Sequence, residues 1–232
     1  MKSKKLQIIG TFAIYAVIFS LIAGFIYFDT HYAVINKKIY NRNDIPKSIG
    51  SIYFGLTNIR EINKCTEVES MFLHHAPENS ISKLKDFHNL KDLMILGSDI
   101  SSADCEKISQ FDKLEELIFS TTTVDFKGFK SDTLSSIGFA SGTFKNFEVL
   151  AECKSLKRMI IGPYHTNIME DISVFAYFDY VESLSLSIDK IEDISGILEM
   201  DSLKELKIDK GAISEDNVKL LEDKGISVIE YD

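Results

Sequence analysis

The sequence predicts an α/β solenoid preceded by one membrane-spanning helix. Residues 6–28 form an apolar run without a charge. From residue 49 onward, apolar residues return in one fixed three-position pattern at intervals of 19 to 25 residues. The spacers between these blocks carry polar turn and helix-start signals. A chain of 232 residues with 45% hydrophobic and 26% charged residues is not of a disordered or collagen-like class.

The first five residues, Met-Lys-Ser-Lys-Lys, form a cytoplasmic N-terminus in this reading. The run LQIIGTFAIYAVIFSLIAGFIYF then spans 23 residues, about 34 Å as a helix, enough to cross a bilayer. A cleaved signal peptide has a shorter apolar core and small residues at its cleavage point. This run offers only Val17 with Ser20, so an uncleaved anchor is expected, with a cleaved signal or a buried core helix as the alternatives. Lys2, Lys4 and Lys5 crowd one edge, while Lys37, Lys38 and Arg42 lie further from the other, beyond the aromatic Tyr27, Phe28 and Tyr32. The bias places the N-terminus inside and the rest of the chain on the outer side of a cell membrane. Ala16, Ser20 and Gly24, four residues apart, form a small-residue face through which two such helices could pack as a homodimer.

Residues 29–48 read as a linker, with turn signals at Asn41-Arg42-Asn43-Asp44 and Pro46. Eight blocks follow over 49–213, apolar at relative positions 1, 4 and 6. They are Ile49/Ile52/Phe54, Val68/Met71/Leu73, Leu90/Leu93/Ile95, Leu114/Leu117/Phe119, Leu134/Ile137/Phe139, Leu156/Met159/Ile161, Val181/Leu184/Leu186 and Leu203/Leu206/Ile208. An eleventh position is apolar in most: Ile59, Ile100, Val124, Phe144, Ile191 and Ile213. Positions 4 and 6 share one face of a short strand and position 5 the other. Stacked strands bury a core that no single block could bury. About a dozen residues remain between strands, room for a short helix or 3₁₀ turn. Ser101-Ser102-Ala103-Asp104 and Ser214-Glu215-Asp216-Asn217 read as helix starts. The second opens a cap over 214–232, with a helix from Glu215 to Lys224, a stop at Gly225 and a last strand near Ile226–Ile229.

The segments "LKDLMILGSDI", "VESLSLSIDKI" and "LKELKIDKGAI" resemble the leucine-rich repeat LxxLxLxxNxL over residues 49 to about 213. "EDISVFAYFDYVESLSL" and "EDISGILEMDSLKELKI" are similar to the short bacterial repeats of internalin-type proteins. The family's asparagine at position 9 is replaced by Thr57, Ala76, Ser98, Thr122, Gly142, Tyr164, Asp189 and Gly211. The resemblance implies a parallel sheet on a concave face, helices or 3₁₀ turns on the convex face, and recognition of another protein. Three arginines against 23 lysines, with no tryptophan, point to a bacterial source.

Catalytic chemistry has no motif here: the chain contains no GxSxG, HExxH, P-loop or GxGxxG. Cys65 and Cys153 occupy a position filled elsewhere by Phe87, Phe111, Phe178 and Met200, so they read as small core residues, and the spacing of Cys65, Cys105 and Cys153 implies no disulfide. His74 and His75, adjacent on a strand, are expected on opposite faces and so unable to share a metal ion. No cofactor or metal is expected. Residues 29–232 hold 23 basic and 35 acidic residues, a formal charge of −12 that disfavours nucleic acid.

The function expected is non-enzymatic recognition of a protein or surface polymer by the concave face. Position 5 supplies an apolar column, Tyr53, Phe72, Met94, Ile118 and Ile160, and position 7 adds His74 and Leu96 beside it. Two alternatives stand: an inhibitor or immunity protein neutralising a basic enzyme or toxin, and a self-associating structural membrane protein acting through Ala16, Ser20 and Gly24.

Overall fold

The computed structural model describes residues 32–35, 38–41, 47, 51–55, 62–77, 79–120, 122–162, 168 and 171–231. The expected membrane helix, with Ala16, Ser20 and Gly24, lies outside the described residues, as do residues 1–5 and the first block's Ile49 and Ile59. Among the described residues no helix is long and apolar enough to cross a membrane. The chain divides into two compact units, residues 1–46 and 47–232. In the first, within the stretch read as a linker, β1 (Tyr32–Ile35) and β2 (Lys38–Asn41) pair antiparallel, Tyr32 opposite Asn41 and Ile35 opposite Lys38.

The second unit is built on a parallel sheet of nine strands: β3 (Ser51–Gly55), β4 (Ser70–His74), β5 (Asp92–Leu96), β7 (Glu116–Ser120), β9 (Ser136–Phe139), β11 (Arg158–Ile161), β12 (Ser183–Leu186), β13 (Glu205–Asp209) and β14 (Ser227–Tyr231). They lie side by side in chain order. The register joins like positions: Met71, Leu93, Leu117, Ile137, Met159, Leu184 and Leu206 form one line across the sheet. The unequal spacings are therefore absorbed between strands. The expected positions 4 and 6 are all buried from Met71 to Ile208, and so are position 1 and the cysteines at Cys65, Cys105 and Cys153.

Spacer length alone does not select the convex element: the 25-residue interval after Leu156 holds a 3₁₀ turn, Ile172–Tyr177, and the 22-residue interval after Val181 a short α-helix, Ser195–Leu198. The 24-residue interval after Leu90 holds a full helix, Ser102–Ile108, where the 22-residue intervals after Val68 and Leu134 hold 3₁₀ turns, Ile81–Lys83 and Phe147–Glu152. The 20-residue interval after Leu114 leaves only a turn, in which Phe126 and Phe129 are buried and the Phe129 N–H donates to the Phe126 carbonyl. Their rings join Phe119, Phe139 and Phe144, the closest pair being Phe139 and Phe144 at 4.6 Å between centroids. Position 11 acquires a physical role in a second parallel sheet, β6 (Asp99–Ile100), β8 (Thr122–Asp125) and β10 (Gly142–Lys145), which seats Ile100, Val124 and Phe144 in the core.

The missing asparagine ladder is replaced piecemeal. The Ser98 hydroxyl accepts from the Ala76 N–H at 2.9 Å and donates to the Leu96 carbonyl at 3.2 Å, doing locally what a position-9 asparagine does repeatedly. In the next block the Thr122 hydroxyl is buried without a partner. Gly142 follows because the chains converge there: with φ +142°, a Cβ would fall 2.1 Å from the Thr122 carbonyl oxygen. A second polar staple crosses from one repeat to the next. Asp104, buried, closes a capping box with Ser101 and accepts from the Ser82 N–H of the preceding repeat at 2.7 Å. The cap has its expected parts, a helix over Glu215–Asp223 with the Ser214 hydroxyl accepting from the Asn217 N–H, then β14.

Candidate interaction face

Strand alternation sends positions 3, 5 and 7 to the open face of the nine-stranded sheet. Position 5 runs across it as one row, Phe72, Met94, Ile118, Gly138, Ile160, Ser185 and Lys207, each opposite the next in register. Tyr53 pairs with Phe72 at the start of the row through the backbone of β3. At the other end the row continues to Ile229 of β14, which is 40% exposed. Ile229 was legible as position 5 of a ninth strand, since Ser227-Val228-Ile229 repeats the strand pattern of the blocks before it.

The row is lower in relief than a freely exposed stripe. Phe72, Met94 and Ile118 are half-buried, because parallel neighbours in register shield one another's flanks, and so are Leu96 and His74 beside them. Ile160 is 38% exposed. Between Ile118 and Ile160, Gly138 is buried and leaves a notch: a Cβ there would lie 3.4 Å from Ile118 Cγ1.

From β4 to β11, lysines, arginines and carboxylates flank this row on one side only. Alongside Phe72, Met94 and Ile118, positions 2 and 3 supply Glu69, Asp92, Glu115 and Glu116 against a single Lys91. Alongside Gly138 and Ile160 the same positions supply Ser135, Ser136, Lys157 and Arg158. β9 thus carries no charge at these positions, and on β11 Lys157 pairs with Glu182 at 3.3 Å. Arg158 reaches back across β9, its Nη2 3.3 Å from Glu116 Oε1 and its Nε donating to Ser136 Oγ at 3.1 Å. On the opposite rim stand His74, Leu96, Ser120, Ala140 and Gly162, with no carboxylate, lysine or arginine among them. Beyond β11 the face turns polar: Ser183 donates to Glu205 at 2.9 Å, Lys207 pairs with Glu205 at 2.9 Å, and Ser187 donates to Asp209 at 2.9 Å.

The histidine expectation is corrected. His75 lies just past β4 with φ +52°, which breaks strand alternation and brings its ring to 4.1 Å from that of His74 between centroids. Its Nδ1 lies 2.9 Å from the Gly97 carbonyl. Among the described residues no group of three or more His, Cys, Asp or Glu side chains stands together to hold a metal ion. Burial pushes the Cys105 thiol up to about 12 and the Cys153 thiol up to about 11, which leaves both as poor nucleophiles at neutral pH.

No protein family's sequence profile matches the chain, and no curated protein matches it in sequence. Among solved structures the chain is similar to internalin C2 of Listeria monocytogenes, at 18% identity and a TM-score of 0.57, covering 84% of this chain and 86% of that one. Internalin F of the same organism aligns at 15% identity with a TM-score of 0.46 over 75% of this chain and 57% of that one. A leucine-rich-repeat protein of Leptospira interrogans aligns at 14% identity with a TM-score of 0.35, over 74% and 50% respectively. The likeness to internalin C2 establishes a shared fold, a parallel-sheet α/β solenoid of the leucine-rich-repeat kind.

Proposed function

We propose that the chain is a membrane-anchored recognition protein whose open sheet face binds another protein, with the repeats on the outer side of a cell membrane. The observation that carries the reading is the row from Phe72 to Ile160: apolar side chains at four of five consecutive position-5 sites of a solenoid, Gly138 being the exception, where nothing in the core needs them. Strands accept apolar residues on either face. Beyond β11, however, the same position becomes Ser185 and Lys207 without loss of strand structure, so the fold itself does not demand an apolar residue there. A shared fold lends recognition as an analogy only. The anchor and its sidedness rest on the sequence of residues 6–28 and the lysines before it.

The test is capture by the full-length chain in lipid nanodiscs, run beside the Phe72→Ser/Ile118→Ser variant and read by mass spectrometry. A protein retained by the wild type and lost from a variant with an unchanged melt supports the reading. Equal retention by both refutes the open face as the binding surface. Protease treatment of intact cells tests sidedness: cleavage of the repeats without lysis is the expected result, and full protection overturns the outer placement.

A further inference from the structure

We infer that Glu230 closes the outer edge of β14 to a second copy of the chain, so that the nine-stranded sheet does not continue from one molecule into the next. Among the described residues β14 is last in the sheet, and its ladder to β13 runs through alternate residues. The Ser227 N–H donates to the Lys204 carbonyl at 2.8 Å, and the Tyr231 carbonyl accepts from the Lys210 N–H at 3.0 Å. The backbone groups of Val228 and Glu230, one residue out of step, therefore point away from β13. Such an edge is a template for another strand, and the chain's own β14 fits it. Two copies related by a two-fold axis at Ile229 would pair antiparallel, with Val228 of each bonded to Glu230 of the other through both backbone groups. The pairing would also cover apolar surface, since Ile229 is 40% exposed and Val228 only half-buried.

Glu230 stands where that pairing would bury it. From β4 to β13 position 6 is always an apolar residue at most 1% exposed: Leu73, Ile95, Phe119, Phe139, Ile161, Leu186 and Ile208. Register sets Glu230 beside Ile208 on the same, core-facing side of the sheet, yet Glu230 is exposed, because β14 has a neighbour on one side only. Its carboxylate is held at the strand's end, accepting from the Gly211 N–H at 3.0 Å. In a two-fold pair the two Glu230 residues would be diagonal neighbours, about 7–8 Å apart, beneath the joined sheet. Taking two like charges out of water together, each beside a valine, opposes the pairing. The cap helix adds Glu215, Glu222 and Asp223 near the same edge, against Lys219. Those charges stay in water, where salt screens them, whereas salt does not relieve the burial of Glu230.

The experiment loads one full-length chain into each lipid nanodisc, so that residues 6–28 of two copies cannot meet within one bilayer and any pairing of discs comes from the rest of the chain. Sedimentation velocity follows a concentration series at about 1 M salt, where screening acts within about 3 Å. The wild type sediments as single discs. Glu230→Val pairs the discs at least ~100-fold more tightly, and Ile229→Cys in that background forms a disulfide between copies on mild oxidation, because the two-fold axis sets residue 229 opposite itself. Glu230→Gln keeps an acceptor for the Gly211 N–H, and with it the fold, and gains ~10-fold. Glu222→Gln removes an equal charge from the cap helix and leaves the discs single. Single discs for both Glu230 variants overturn the proposal, as does pairing of the wild type. Pairing by Glu222→Gln to the same degree overturns it too, since net charge and not the place of Glu230 would then keep copies apart.

Discussion

Replacing Gly138 by alanine adds one methyl to the open face at the only glycine of the described row. The new Cβ lies 3.4, 3.7 and 3.9 Å from Ile118 Cγ1, Cγ2 and Cβ, all ordinary contact distances. Removing the glycine's extra freedom in the unfolded chain contributes about 0.5–1 kcal/mol. Packing the methyl on Ile118 contributes at most about 0.8 kcal/mol, and about half of that with its far side open. The sum, about 1–1.5 kcal/mol, corresponds to a rise of about 2–6 °C in the melting midpoint of a unit this size. The assay is thermal melting followed by circular dichroism on the full-length chain, with Gly162→Ala as the contrast. There the Cβ would press on backbone, 3.2 Å from the Ala140 Cα and 3.4 Å from the Phe139 carbonyl oxygen, so the midpoint falls. A fall for Gly138→Ala, or equal shifts for both, refutes the packing argument. A partner that uses the notch is retained less well by the more stable Gly138→Ala protein, whereas a residue chosen only for strand preference shows stabilisation alone.

Asp104→Ala removes the acceptor of the Ser101 N–H and hydroxyl in the capping box and the acceptor of the Ser82 N–H, and costs about 2–4 kcal/mol; a lowered urea midpoint with faster amide exchange at Ser82 is the expected result. Cys105 and Cys153 resist alkylation at pH 8 in the folded protein and react once it is unfolded in urea. Because burial holds the Cys105 thiol up at about 12 against an ordinary 9, its contribution to stability is whole below pH 9 and disappears as pH rises toward 12, a loss that Cys105→Ala abolishes. Glu182 is held below the usual carboxylate range by hydrogen bonds from Lys204 and then Lys157, and Asp125 by the Lys127 N–H and then the Asn146 amide. Their stabilisation is present above the ordinary values of 4.5 and 3.8 and is lost as pH falls below them, so acid titration of the melt shows a decline that Glu182→Gln makes shallower.

The repeat phase, and with it the burial of position 1, 4, 6 and 11 residues, was legible because strand alternation is a two-residue rule and stacking demands that each block bury the same faces. Cys65 and Cys153 were placed by the same logic, from the phenylalanines that fill their position elsewhere. The open-face row was legible as a set of residues. Its relief was not, since the shielding of Phe72, Met94 and Ile118 and the notch at Gly138 depend on which strands become neighbours. The approach of His75 to His74 depends on one left-handed backbone angle that a strand pattern cannot report. The acidic grouping beside Phe72, Met94 and Ile118 was not legible, because Asp92 and Glu116 are distant in sequence and become adjacent only through register. The sequence by itself thus determined the solenoid, its phase and the residues presented on its open face, because these follow from local periodicity. Only the tertiary structure decided the shape and charge order of that face, because both arise from contacts between side chains about 22 residues apart, set by how each spacer folds.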